Sequence, residues 1–272
     1  MRINRSHSFA LTGLIILFFL ILFAIVAPLF SPYTYHEIHL AQKNMAPCSA
    51  HWFGTDELGR DLLTRLAFGA RISLFVGVTA ALLDMIFGVT YGAIAAFSPR
   101  RVDEAMMRAA DIIFCIPHVL TTILLLVVLG AGLGTVIVAL TVTGWISMAR
   151  IVRGEILQIK QRDYVLIAKA QGASATRILF RHLIPGATGT ILTTVMLTIP
   201  TAIFMEAFLS FLGLGIQAPI ASWGTMACDG LTAMRYFPWR LFFPAGFISL
   251  TMLAFNMVGD GLRDIFDPRY QR

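Results

Sequence analysis

The run FALTGLIILFFLILFAIVAPLF, residues 9–30, contains 22 residues and not one charge. About 20 apolar residues carry a helix across the hydrocarbon core of a bilayer, whereas the apolar region of a secretory leader is shorter, about 7–15 residues. Arg2 and Arg5 precede the run, so it reads as an uncleaved signal-anchor helix. Five further runs repeat the pattern, at 72–97, 112–130, 134–152, 187–212 and 241–259. Most of them carry Gly, Ala or Thr, which let helices approach closely in lipid. Composition agrees: of 272 residues, 57% are hydrophobic and 13% charged, against about 25% charged in a soluble domain. The expected fold is an all-α membrane protein with about six transmembrane helices. Its expected parts are an anchor helix with an outer loop (1–71) and a five-helix core (72–272).

Charge placement orients the chain. With the N-terminus inside, the inside segments hold 15 of the 21 Lys and Arg residues, and the positive-inside rule then puts both termini in the cytoplasm. That bias accounts for the net charge of +6 without a nucleic-acid partner. Cys48, Cys115 and Cys228 have no CxxC spacing, which argues against a zinc or redox centre. Cys48 and Cys228 both fall in outside loops, where oxidation is open to them. Loop pairs seldom meet the required Cα separation of roughly 4.4–6.8 Å, however.

Two segments outside the spans have a pattern of their own. Within 56–68, Leu58, Leu62, Leu63 and Leu66 stand among acids and arginines, as in a helix lying along the membrane surface. Nearby, His36, Glu37, His39 and His51 include imidazoles of the kind that bind nickel or zinc. Their spacing is unspecific, so they read as a solvated loop and no metal site is assigned. His118, after Pro117, reads as a helix-packing residue, and GAGLG at 130–134 as a turn, because no strand precedes it.

The second segment is DYVLIAKAQGASATRILFRHLIP, residues 163–185. Asp163 reads as an N-cap, 164–171 as a two-turn helix, and Gly172 as the C′ residue that ends it. Ser174 reads as the cap of a second helix, which Pro185 stops before the next span. Ala168, Ala170 and Ala173 leave room for a partner. By spacing alone, a basic membrane-surface hairpin fits equally well.

Ala168, Gly172 and Pro185 fall where the cytoplasmic loop of ABC-importer permeases has its second Ala, Gly and Pro. Leu166, Ile167, His182 and Ile184 replace that family's Glu, first Ala, Ile and Leu. Five other stretches resemble, in order, the dipeptide, oligopeptide and nickel branch of the same family. They are GTDELGRDLLTRLAFGARISL (54–74), VDEAMMRAADIIFCIP (102–117), MEAFLSFLGLG (205–215), PIASWG (219–224) and NMVGDGLRDIFDP (256–268). The signature after the first span looks like the C-type partner of a heterodimeric permease pair.

This resemblance implies a type I importer permease in a bacterial inner (plasma) membrane, forming half of a translocation path for di- or oligopeptides. Nickel or another small solute is the alternative cargo. The implied partners are a homologous second permease, two cytoplasmic ATPase subunits or domains, and an external solute-binding protein. The ATPases would grip a coupling loop at 160–185 through Asp163, Tyr164, Leu166, Ala168, Gly172, Ala173 and Pro185. With Leu166 in place of the Glu, that grip is expected to be apolar and steric. ATP and magnesium would sit on the partners, since this chain has no GxxxxGK[ST] loop. The chain is expected to carry no cofactor and to catalyse nothing itself.

Asp84 and Glu206 lie deep inside spans and are the candidate path residues, because an intramembrane carboxylate is costly unless used. Packing alternatives exist for both. Glu206, six residues after Pro200, would also serve as a gate-stabilising hydrogen-bond partner, and Asp84 as a partner to a neighbouring helix. A membrane-embedded enzyme using the two acids is disfavoured by the lack of any catalytic motif. A stand-alone ion-driven transporter usually has repeats and broken helices at mid-membrane, and neither is read here.

Overall fold

The computed structural model of the chain describes residues 2–266, and these are helical apart from loops and one isolated bridge between Thr55 and Asp61. Asp267 and Pro268, read above, lie outside the described residues, as do Arg269, Arg272 and the side chains of Arg2 and Arg5. In chain order the helices are α1 (Arg2–Phe30), α2 (Leu62–Phe97), α3 (Arg100–Phe114), α4 (His118–Leu129) and α5 (Leu133–Ile159). Then come α6 (Asp163–Ala170), α7 (Ala175–Ile178), α8 (Ile184–Phe211), α9 (Trp223–Ala233) and α10 (Trp239–Phe266). Five of the helical runs are long and apolar enough to cross a membrane: α1, α2, α5, α10 and the run from α7 through α8.

The sixth expected span, 112–130, is broken. α3 and α4 meet at 71° across Cys115–Pro117, because Pro117 lacks an N–H and restricts the residue before it. At 12 residues, α4 is about 18 Å long, well short of a hydrocarbon core of about 30 Å. α3 is instead an amphipathic helix strapped to α5. Arg153 grips Asp103 with two parallel bonds, Nε–Oδ1 2.5 Å and Nη2–Oδ2 2.7 Å. Arg150 Nη2 meets Asp111 Oδ1 at 2.7 Å.

The surface helix expected at 56–68 does not form. Asp61 is the N-cap of α2, its carboxylate accepting from the Thr64 N–H at 2.9 Å and the Thr64 hydroxyl at 2.8 Å. A capped N-terminus starts a helix where the cap stands, so 62–68 are the first turns of a 36-residue α2. The division expected at residue 71 therefore falls inside one continuous helix.

The loop between α1 and α2 is a folded cap. Gly54 and Gly59 take φ of +79° and +75°, and a Cβ on Gly59 would collide with the His39 carbonyl. Between them the buried Asp56 accepts from the Leu58 and Arg60 N–H groups and from Arg60 Nε (2.6 Å), and forms an ion pair with Arg65 Nε at 3.4 Å. His51 corrects the solvated-loop reading. It is 1% exposed, bridges Asp61 Oδ1 (3.0 Å) and Gln42 Oε1 (3.2 Å), and stacks on Tyr33. Arg240 of α10 ties the cap down through Asn44 Oδ1 (3.1 Å) and Glu57 Oε2 (3.3 Å). Cys48, Cys115 and Cys228 are free thiols.

Small residues set the helix contacts, as expected where lipid gives no hydrophobic drive to pack. Gly13 of α1 lies against the Ala254 carbonyl of α10, and Gly261 of α10 against Ala10. Gly88 and Gly92 of α2 admit Met148 and the Ala149 backbone of α5.

Candidate functional site: a loop helix and the polar groups behind it

α6 begins with Arg162, whose extended backbone makes it the N-cap, so Asp163 is the first helical residue rather than the cap. The other end matches the pattern. Gly172 has φ +78°, the Ala173 N–H reaches Ala168 O at 3.1 Å, and the Gly172 N–H reaches Lys169 O at 3.1 Å. Those two bonds make a Schellman motif, which requires the left-handed residue that Gly adopts without a Cβ penalty. Val165 faces inward and is 3% exposed. Tyr164, Leu166 and Ile167, on the other side, are about half exposed at 48%, 51% and 57%. Ala168 is partly buried and Ala173 packs against the core. An eight-residue helix beyond the spans thus presents an apolar outer face.

Ser174 caps α7, accepting from the Arg177 N–H at 3.3 Å. Pro185 does not stop the second helix. Leu179–Leu183 is a π-helical turn in which the Ile184 N–H bonds Leu179 O, and α8 follows without a break. Proline removes one i→i−4 bond and its ring clashes with that carbonyl; a π-bulge absorbs both. The loop's second half is therefore the foot of the α7–α8 membrane run, so α6 is joined to that run through a single turn at 171–174.

Glu206 is fully buried on α8. Three hydroxyls donate to it: Ser222 (2.7 Å), Ser210 (3.0 Å) and Ser73 (3.3 Å). Ser73 in turn accepts the Trp223 N–H at 3.1 Å, and Ser222 caps α9. A carboxylate at a helix N-terminus also gains from the helix dipole. The knot joins α2, α8 and α9 in one buried polar cluster. Asp84 of α2 lies against Gly144 of α5, where a Cβ would meet its Oδ2 at 2.5 Å. Its Oδ1 is buried without a hydrogen-bond partner. In this conformation the two acids sit in separate helix contacts.

A polar cavity of about 910 Å³ opens beside α6, bounded by α5, α8 and the end of α10. Tyr164 and Pro185 of the predicted loop line it, and neither Asp84 nor Glu206 does. The serines around Glu206, the Asp103–Arg153 strap and this cavity were not singled out in the sequence. Ser73 and Ser222 are distant from Glu206 along the chain, so only the hydroxyls inside apolar runs were there to be noticed.

Comparison with known proteins places these features in a family. The family model described as "Binding-protein-dependent transport system inner membrane component" matches residues 88–272. A second, the "N-terminal TM domain of oligopeptide transport permease C", matches 2–47. The chain is 57% identical over 268 residues to the oligopeptide transport system permease protein OppC of Bacillus subtilis, covering 98% of this chain and 88% of that protein. It is 55% identical to the dipeptide transport system permease protein DppC of the same organism, covering 98% and 84%. A chain from inward-facing conformations of the MetNI methionine ABC transporter superposes with a TM-score of 0.61 at 17% identity, covering 74% of this chain and 96% of that one.

Proposed function

Because this chain belongs to the family of binding-protein-dependent transport system inner membrane components, we propose that it forms one half of the translocation path of an ATP-driven importer for di- or oligopeptides. The names of the two Bacillus relatives favour peptides over nickel or another small solute. The remaining machinery is a second permease, two ATPases carrying ATP and magnesium, and an external binding protein that docks on the outer cap. The chain itself hydrolyses nothing. It sits as a multi-pass protein in the inner membrane, with both termini and α6 cytoplasmic, as the 15-to-6 division of basic residues indicates.

The observation that carries this reading is α6. An apolar helix face held clear of the spans, closed by Gly172 and joined through one turn to the α7–α8 run, suits a lever gripped by a moving partner. Asp163, Tyr164, Leu166, Ala168, Gly172, Ala173 and Pro185 form the lever and its joint. Closure of the ATPase dimer then moves the foot of α8, and with it the path. Glu206 and Asp84 act in this scheme by fixing helices rather than by touching cargo. Co-expression with the second permease and the ATPases tests the assembly: the four components should purify as one complex. A chain that transports when purified alone overturns the reading.

A further inference from the structure

We propose that the cavity between α5, α6, α8 and α10 is a binding site for a zwitterionic solute. Arg162 and Arg263 receive its carboxylate and Glu155 its ammonium group. The inference rests on the peptide-importer reading and assigns that reading a site.

Three observations carry it. First, the cavity runs along a helix long and apolar enough to span a membrane. Its α8 wall runs from Pro185 to Leu197, a rise of about 18 Å along a helix, more than half of a hydrocarbon core of about 30 Å. Polar groups at that depth face water-filled space or each other. This wall carries Thr188, Thr190, Thr193 and Thr194. A docking surface for a cytoplasmic protein has no need of such depth.

Second, one hydroxyl on this wall is unsatisfied. Thr188, Thr194, Thr198 and Thr201 each bond a carbonyl one turn back on α8. Thr193 does not: it is 8% exposed and its Oγ1 is buried with no partner. A buried hydroxyl left unmade costs about 1–3 kcal/mol, and a peptide carbonyl or amide would satisfy it.

Third, both charge signs are present and unspent. Glu155, Arg162 and Arg263 line the cavity, and among the described residues none of the three forms a side-chain hydrogen bond or ion pair. A free peptide carries the complementary pair of charges at its ends. The volume of about 910 Å³ lies within the roughly 300–1,000 Å³ of ordinary small-ligand sites. Gly186 lets Tyr164 close onto α8 at the cavity wall, since a Cβ there would stand 3.3 Å from the Tyr164 hydroxyl. The coupling helix thus forms part of the site.

The test uses the whole importer in vesicles with the cytoplasmic face outward, free of other cysteines and bearing Thr193→Cys. A small maleimide modifies the thiol with and without trialanine. With the site nine-tenths occupied, modification should slow about tenfold, and N-acetyl-trialanine amide should give no protection. Protection should vanish when Arg162→Gln and Arg263→Gln are combined, and weaken with Glu155→Gln. Equal rates with and without trialanine, in an importer that still imports trialanine, reject the site and leave the importer reading standing. Failure of the parental importer to take up trialanine removes both. Loss of the ATPases from the double arginine variant makes those arginines a docking surface and overturns the assignment. Should Thr193→Cys not assemble, Thr190→Cys on the same wall gives the same readout.

Discussion

Arg71 of α2 donates from Nε to the carbonyl of Ala24 on α1 at 2.8 Å, in the place of the N–H that Pro28, four residues on and inside the helix, does not have. Proline in a helix strands the carbonyl one turn back, and in lipid no water replaces the lost bond. A residue from the next spanning helix supplies the donor and docks α1 against α2 as it does so.

Removing that donor should be costly, and the cost should depend on the proline. Arg71→Met leaves the Ala24 carbonyl unpaired, a loss of about 1–3 kcal/mol, read as a lower melting temperature of the purified complex. Adding Pro28→Ala restores an N–H in place and should recover most of that loss. Equal melting temperatures for the single and double variants would show that Arg71 acts in some other way.

Glu206 is expected to be a structural tie. Glu206→Leu leaves three buried serine hydroxyls without their acceptor and should destabilise by at least about 1–3 kcal/mol. Glu206→Gln keeps one acceptor oxygen but aims an amide at hydroxyl donors, and should destabilise less. Neither should alter the preference for free over N-acetylated peptides, measured as relative uptake rates. A change of preference at unchanged stability would make Glu206 a cargo contact.

These two clusters mark the boundary of what the sequence could convey. Span positions follow from apolar length alone, so α1, α2, α5, α8 and α10 were legible to within a few turns. The bend at 115–117 was not, because Ile112, Ile113 and Phe114 continue the apolar run across Pro117. α9 was missed because its 11 residues fall short of a span and only Ser222 and Thr225 mark its start. Charges such as Asp56, Arg60 and Arg65 read alike whether they are solvated or paired in a buried cap. Gly172 was legible because a helix end needing a left-handed residue leaves a local mark. The knot around Glu206 joins residues 133 positions apart, and no local pattern records such a contact.

Orientation has a direct test. A single thiol placed by Ser174→Cys, between α6 and α7, should react with an impermeant maleimide only after the membrane is opened. Labelling in intact cells or right-side-out vesicles would invert the topology and remove α6 from the cytoplasm.

The joint at Gly172 should be indispensable without being a folding determinant. A Cβ there meets no atom of this chain within 4 Å, so the cost of Gly172→Val is mainly the left-handed backbone, roughly 1–2 kcal/mol. The variant should insert and assemble, and ATP hydrolysis should continue without responding to the loaded binding protein. Uptake at the parental rate would take the loop out of the mechanism.

On the proposed reading this chain forms one half of the path and its partners supply the energy. Uptake of labelled trialanine into vesicles tests it most directly, with the second permease, the ATPases and the binding protein present and this chain either included or left out. Uptake should require this chain, ATP and the binding protein together. Uptake that persists without this chain, or that this chain sustains alone without ATP, would contradict the account.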